Sequence, residues 1–150
     1  MAIAVSLLIS LLLVMATVLL HYEILQFAAT LPSRLTYPAR SRILVVIAVV
    51  LAAHVIEASL YACVYYVMQS YLQLGLLVGH LEGDSLDFFY FSIATYTTLG
   101  IGDVHPNGVM RLVAGVESLN GLVLIGWSAS FTYLTMEEFW GTKRSERPGT

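Results

Sequence analysis

Three long apolar segments constrain this chain more than any other feature. They cover residues 1–29, 43–72 and 110–137, and each is long enough to cross a bilayer, since roughly 20 apolar residues suffice. Only 11% of the residues are charged, whereas about 25% is usual in a soluble domain. The sequence therefore predicts an all-α integral membrane protein with three transmembrane helices, the first of them retained rather than cleaved as a signal peptide.

The basic residues predict how these helices are oriented. Six of the seven basic residues lie in two segments, 30–42 and 138–150. They are Arg34, Arg40, Arg42, Lys143, Arg144 and Arg147. The positive-inside rule assigns both segments to the cytoplasm, as a loop and a tail. An even number of crossings then separates them, and the N-terminus lies outside.

Residues 85–103 lie between the second and third spans. This segment is too short to form two helices that cross the membrane and return. Asp84 and Ser85 offer a helix N-cap, and Asp87 sits in the first turn, where the helix dipole favours an anion. Residues 86–97 then suit a helix of about three turns. Because the basic segments require an even number of crossings, we expect residues 85–103 to be a re-entrant pore helix followed by a loop.

That loop carries the sequence Thr-Thr-Leu-Gly-Ile-Gly-Asp, residues 97–103. A dehydrated cation needs a cage of oxygens, and successive carbonyls supply one only if they point the same way. Gly100 and Gly102 visit left-handed dihedral angles at little cost and can turn neighbouring carbonyls to one side. Thr98 adds a hydroxyl at the inner end, and Asp103 adds a carboxylate at the outer mouth. Rings of carbonyls that replace a hydration shell are the basis of potassium filters.

This motif resembles the selectivity filter of the tetrameric potassium channel superfamily, whose commonest form reads Thr-Val-Gly-Tyr-Gly-Asp. Here Leu99 replaces the valine, and Ile101 replaces a tyrosine whose hydroxyl ties the filter to the pore helix in many members. The resemblance implies a bacterial-type two-transmembrane pore module with an extra N-terminal helix, assembled as a homotetramer. The implied potassium-binding filter consists of Thr98, Leu99, Gly100, Ile101 and Gly102, with oxygens of the first four binding the ion.

The third span resembles the inner helix of the same superfamily. Gly121 falls where simple relatives have a hinge glycine, and Gly126 falls where they have another small residue. A packing glycine is an equally good interpretation of Gly121, because glycine also permits close helix packing. Ile125, Ala129 and Thr132 are expected to line or border the water-filled cavity below Thr98.

Several polar residues lie inside the spans. His54 and Glu57 share one helical face, and ionisable groups at this depth are functional candidates. They form either a unit whose charge changes with pH or a structural pair, and both interpretations stay open. Glu117 is expected to brace the pore helix from behind, and Asn120 is a similar candidate. We expect Tyr61, Tyr65 and Tyr66 to form an aromatic belt and to contribute to packing. We expect His80 and His105 to be ordinary solvated histidines at the outer mouth.

These features predict a potassium-selective channel in the cell membrane that conducts passively. A weakly selective cation channel is the first alternative, because Ile101 removes the aromatic hydroxyl. A non-conducting membrane subunit that helps a partner assemble is the second. The expected partners are membrane lipids, potassium ions and other copies of the chain. A net charge of −3 argues against nucleic acid, and we expect no enzymatic activity and no cofactor besides potassium. The gating stimulus stays open among the filter, the inner helices and titration at His54 and Glu57.

Overall fold

The computed structural model describes residues 1–34 and 39–145. In chain order its elements are α1 (Ala2–Arg34), α2 (Ala39–Ser70), β1 (Leu77–Gly79), α3 (Leu86–Tyr96), β2 (Val104–Pro106) and α4 (Met110–Ser145). Residues 35–38 of the predicted cytoplasmic loop and residues 146–150 of the predicted tail, Arg147 among them, lie outside the described residues.

Three of the four helices are long and apolar enough to cross a membrane. Their apolar spans are Ala2–Leu31, Ser41–Ser70 and Met110–Glu137, which confirms the predicted all-α membrane fold. α1 and α4 are longer than predicted, because they continue to Arg34 and Ser145. The predicted ends at residues 29 and 137 followed the loss of apolar character, which the backbone hydrogen bonds of a helix do not require.

α1 packs against α2 and α4 of its own chain. Its buried residues are Ser6, Ser10, Leu13, Thr17, His21, Leu25 and Ala28. They recur at intervals of three and four and therefore share one helical face, while leucines such as Leu11 and Leu19 stay exposed on other faces. Most of the buried residues are small or polar, which lets helices approach closely and form hydrogen bonds between them. The sequence did not predict where α1 docks.

The start of α3 differs in detail from the predicted N-cap. Ser85 has helical dihedral angles and makes no side-chain capping hydrogen bond. Asp84 caps instead, because its Oδ1 accepts a hydrogen bond from the Leu86 amide at 2.8 Å. The Asp87 carboxylate, predicted in the first turn, accepts hydrogen bonds from the backbone amides of Glu82 at 3.1 Å and Gly83 at 2.8 Å. These two bonds tie the preceding loop to the helix.

A two-stranded antiparallel sheet brackets α3 and residues 97–103. β1 pairs with β2 so that Val78 lies opposite His105 and Gly79 lies opposite Val104. Gly79 has φ +136°, and a Cβ atom there would lie 1.9 Å from the Asp103 carbonyl oxygen. The same oxygen accepts a hydrogen bond from the His80 amide at 3.1 Å. The hairpin, which the sequence did not predict, therefore holds the end of the segment at Asp103.

Gly121 of α4 lies directly against the C-terminal end of α3. A Cβ atom at this position would lie 2.1 Å from the carbonyl oxygen of Tyr96. Gly126 is different, because no atom lies within 4 Å of a Cβ built there. Of the two interpretations of Gly121, the packing glycine accounts for this contact directly.

We expect Gly121→Ala to lower the thermal midpoint of the purified protein and Gly126→Ala to preserve or raise it. The first substitution forces backbone apart at the α3–α4 contact, and overpacking costs about 1–3 kcal/mol. The second adds helix propensity worth up to about 1 kcal/mol in open space. Circular dichroism during heating in detergent micelles measures both midpoints. Equal midpoints for the two variants would contradict the role assigned to Gly121.

Candidate functional site

Residues 97–103 leave the end of α3 with an alternating backbone. Thr98, Gly100 and Gly102 have φ angles of +59°, +52° and +88°, whereas Leu99 and Ile101 lie outside the positive-φ region. Left-handed and ordinary conformations in alternation turn successive peptide groups toward the same side. The predicted left-handed glycines are confirmed. Thr98 was not predicted to join them, because a β-branched residue rarely takes this conformation.

Backbone hydrogen bonds connect the first part of this segment to α3. The Thr98 amide donates to the Thr95 carbonyl at 2.9 Å, and the Gly100 amide donates to the Ala94 carbonyl at 3.1 Å. Since these carbonyls belong to the last turn of α3, the segment continues from the helix without a free hinge. The orientation of α3 therefore sets the orientation of the segment.

Tyr90 of α3 connects the helix to the other end of the segment. Its hydroxyl donates a hydrogen bond to Oδ2 of Asp103 at 2.8 Å, and this bond raises the pKa of Tyr90. Oδ1 of Asp103 accepts from the Val104 amide at 3.0 Å. Ile101 has no hydroxyl, so Tyr90 supplies a polar tie between helix and segment from a position that the sequence did not single out.

The side chains of Leu99 and Ile101 are exposed in the single chain. Their exposed fractions are 67% and 59%, although both are apolar and lie beside the backbone that carries the motif. Leu122 and Val123 of α4 are exposed as well. One chain therefore leaves apolar surface uncovered around residues 97–103.

Glu117 of α4 lies behind α3, as the prediction of a brace requires. Its Oε1 lies 2.6 Å from the Ser92 hydroxyl, which also lies 2.7 Å from the Ala58 carbonyl oxygen. Its Oε2 accepts a hydrogen bond from the Tyr65 hydroxyl. Ser92 has one hydroxyl hydrogen for two acceptors, so both contacts are satisfied when Ser92 donates to Ala58 and a protonated Glu117 donates to Ser92.

Glu57 of α2 is fully buried and meets side chains from two other helices. Its Oε1 lies 2.8 Å from Nδ1 of His21 on α1. Its Oε2 lies 3.2 Å from Nδ1 of His54 and accepts a hydrogen bond from the Tyr96 hydroxyl of α3 at 2.5 Å. The predicted His54–Glu57 pair is present, and it belongs to a larger cluster that reaches both α1 and the last residue of α3.

A family model described as an ion channel matches residues 42–138, which is well over half of the chain. This chain belongs to that ion channel family. The matched region contains nearly all of α2, both strands, α3 and most of α4. With three helices apolar enough to span, the channel is a multi-pass membrane protein. α1 lies outside the matched region.

A relative of this chain is Two-pore potassium channel 1 of Arabidopsis thaliana. The two proteins are 40% identical over 57 residues, which is 37% of this chain and 16% of the relative. The aligned stretch therefore spans about one sixth of that protein's length. No solved structure matches the channel.

The predicted inner-helix residues lie on different surfaces of the chain. Ile125, Ala129 and Thr132 line one groove of about 830 Å³ between α2, α3 and α4, together with His54 and Thr97. Gly126 is exposed, and Gly121 is buried against α3. The groove is lined by Thr97, the residue before the predicted inner end of the filter.

Tyr61, Tyr65 and Tyr66, predicted to form an aromatic belt with packing, divide between the packed interior and the surface. Tyr61 and Tyr65 are fully buried, with Tyr61 accepting from Asn120 Nδ2 at 3.2 Å and Tyr65 bound to Glu117. Tyr66 is the exposed one. Spacing along one helix did not reveal the two buried hydroxyls, because their partners lie on α4.

Sequence reasoning also missed several residues of these clusters. They are His21, Tyr90, Ser92, Tyr96 and Ser128. His21 had a usable signal, since an ionisable residue in an apolar span is a functional candidate by default. The hydroxyl residues had no such signal, because their types are common in membrane helices.

His21, His54 and Glu57 are the described residues close enough to share a metal ion, with ligand atoms within 4.8 Å of one another. Each of these side chains already has hydrogen-bond partners, and Ser128 contacts the second nitrogen of both rings. The cluster is therefore complete as a hydrogen-bonded arrangement, and we assign no metal to it.

We expect Glu117→Gln to fold with nearly unchanged stability and Glu117→Ala to be clearly destabilised. A glutamine amide donates to Ser92 and accepts from Tyr65, which reproduces the bonds of a protonated carboxyl group. Alanine leaves buried hydroxyls without these partners, at a cost of about 1–3 kcal/mol for each unsatisfied group. Thermal midpoints in detergent measure the difference. A Glu117→Gln variant as unstable as Glu117→Ala would contradict the protonated form.

Proposed function

We propose that this chain is the subunit of a homotetrameric potassium-selective channel and that residues 97–103 form one quarter of its filter. The observation that carries the proposal is the alternating backbone of Thr98 to Gly102. Such alternation turns carbonyl groups to one side, and four copies around an axis supply rings of oxygens. The name of the Arabidopsis relative, a potassium channel, supports the choice of ion.

In this proposal the ions pass in file between oxygens of Thr98, Leu99, Gly100 and Ile101. The Thr98 hydroxyl contributes at the inner end, and Asp103 attracts cations at the outer mouth. In this proposal conduction is passive, because the ions follow their own concentration and voltage gradient past these oxygens. Irregular backbone at membrane depth is tolerated only when protein or water surrounds it. In the proposed tetramer, α3 and residues 97–103 form a re-entrant unit that neighbouring subunits and the ion path surround.

The fourfold assembly is supported by the apolar surface that one chain leaves open. The side chains of Leu99 and Ile101 are exposed, because no other residue in the described part of the chain covers them. Neighbouring subunits would cover this surface and complete the ion path. Other copies of the chain and membrane lipids are therefore the proposed partners.

We place the N-terminus outside the cell membrane and the C-terminus in the cytoplasm. This orientation puts the basic segments 30–42 and 138–150 on the cytoplasmic side. The acidic residues of the loop before α3 and Asp103 then lie at the outer mouth. These acidic residues raise the local concentration of cations.

Removing the backbone freedom of Gly100 should abolish potassium flux. Gly100→Ala places a Cβ atom on a residue with φ +52°, which costs about 1–2 kcal/mol in the left-handed region and favours a conformation that turns the carbonyl away. Gly115→Ala is the matched control, because Gly115 lies on the exposed surface of α4 with open space around it. Flux from liposomes containing the purified protein, with potassium or sodium gradients, measures both.

The outcomes of this flux experiment separate the remaining functions. Potassium flux that survives in Gly115→Ala and falls at least about tenfold in Gly100→Ala supports the filter, because one lost ion contact of about 1.4 kcal/mol changes a rate tenfold. Equal sodium flux would favour a weakly selective cation channel. A stable tetramer without flux would favour a non-conducting assembly subunit.

A weakly selective cation channel is the second candidate, and Ile101 is the observation that favours it. This residue cannot form the hydroxyl bond that ties many filters to the pore helix. If the Tyr90–Asp103 bond compensates, Ile101→Tyr should leave the reversal potential nearly unchanged under potassium and sodium gradients. A clear shift of the reversal potential toward that of potassium would instead identify the native channel as weakly selective.

A further inference from the structure

Five side chains from all four helices form a closed ring of hydrogen bonds. The Tyr96 hydroxyl lies 2.5 Å from Oε2 of Glu57 and 2.9 Å from Nδ1 of His54. Nε2 of His54 lies 3.0 Å from the Ser128 hydroxyl, and that hydroxyl lies 3.1 Å from Nε2 of His21. Nδ1 of His21 closes the ring at 2.8 Å from Oε1 of Glu57.

Five hydrogens, one for each hydrogen bond, satisfy the whole ring. Its five bonds are all made when His54 donates to Tyr96, Tyr96 donates to Glu57, and a protonated Glu57 donates to His21. His21 then donates through Nε2 to Ser128, whose hydroxyl donates back to His54. Moving the Glu57 proton to His21 along their common bond gives an ion pair with the same five hydrogens. Either form leaves the ring with no net charge.

A sixth proton or a missing one breaks this balance. With a sixth proton both imidazoles are cations facing one carboxylate, both donate to Ser128, and the Ser128 hydrogen has no acceptor in the ring. With four protons, one of the five contacts has no hydrogen. Either change also leaves a net charge in a buried site, where a charge is strongly disfavoured.

Within residues 1–34 and 39–145, the neighbouring titratable side chains supply no counter-charge to a ring that gains a proton, because they are a phenol and a carboxyl group whose own hydrogen bonds favour its protonated form. Tyr61 of α2 and Glu117 of α4 are the other titratable side chains that interact with the ring residues Glu57 and Tyr96. Trp127 packs on the His21 ring with centroids 5.5 Å apart. The side chain of His54 is 16% exposed and lines the groove between α2, α3 and α4. Protons therefore reach the ring from this groove.

Tyr96 connects the ring to the filter segment. It is the last residue of α3, its carbonyl oxygen abuts Gly121, and Thr97 follows it directly. A displacement of the Tyr96 hydroxyl therefore moves the point at which residues 97–103 leave the helix. His21 lies on α1, outside the region that matches the ion channel family.

We infer that His21 is a positioning residue through which α1 holds the base of the filter segment, and that the ring releases this hold when it gains a proton. Histidine suits this task because it is the side chain that ordinarily changes charge between about pH 5 and pH 8. The inference rests on the proposed function only for its effect on conduction. Its structural part concerns the order of residues 97–103 and is measured separately.

The experiment compares His21→Ala with Thr17→Val in the full-length protein. Thr17 accepts a hydrogen bond from Asn120 at 2.8 Å, so Thr17→Val removes a second polar contact between α1 and α4 while leaving all five ring residues in place. Hydrogen exchange of peptides that contain residues 97–103, followed by mass spectrometry in detergent, reports on the segment without requiring conduction. Exchange is measured between about pH 8 and pH 5 and corrected for the pH dependence of intrinsic exchange.

In the native protein and in Thr17→Val, we expect corrected exchange of this segment to rise roughly tenfold on acidification, the effect of losing one hydrogen bond to a charged group. In His21→Ala the exchange should be high at both ends of the range and independent of pH. Potassium flux measured in parallel should depend on pH in the native protein and Thr17→Val, and not in His21→Ala.

Equal pH dependence in His21→Ala and the native protein would overturn the inference, and so would a loss of pH dependence in Thr17→Val equal to that in His21→Ala. The second result would show that α1 docking alone matters. Absence of flux in every variant, with the expected exchange pattern retained, would overturn the proposed channel function and leave the ring's hold on the segment supported.

Discussion

Polar groups buried between apolar helices must find partners inside the protein, because a bilayer offers none. This requirement organises the chain around Glu57 and Glu117, two fully buried carboxyl groups on different helices. Glu57 draws in α1 and the end of α3, and Glu117 holds the middle of α3 against α2 and α4. Two acidic side chains thus hold this short helix at its middle and at its end.

The position of α3 then determines the geometry of the segment that follows it. Backbone bonds from Thr98 and Gly100 return to its last turn, and Tyr90 reaches forward to Asp103. The β1–β2 hairpin holds the Asp103 carbonyl from the other side. A left-handed threonine is tolerated in this setting, because strain of about 1–3 kcal/mol persists where surrounding contacts over-determine the backbone.

α1 lies outside the region matched by the ion channel family, yet it is built into the polar interior of the subunit. Thr17 bonds to Asn120 of α4, and His21 bonds to Glu57 of α2. A helix that only anchored the chain in the membrane would pack against its neighbours through apolar and small residues. Because these contacts lie beside the support of α3, they link α1 to the helix that residues 97–103 follow.

The sequence by itself determined the three spans and the left-handed glycines of residues 97–103, because both depend on local properties. A span follows from an unbroken apolar run, and Gly100 and Gly102 differ from their neighbours in backbone freedom. The hydrophobic runs also located the buried acids Glu57 and Glu117, but they did not identify most of their partners. His21 and Ser128 are 107 residues apart in sequence and share one hydrogen bond. Only the tertiary structure decided such contacts, because the crossing of helices determines which polar side chains meet.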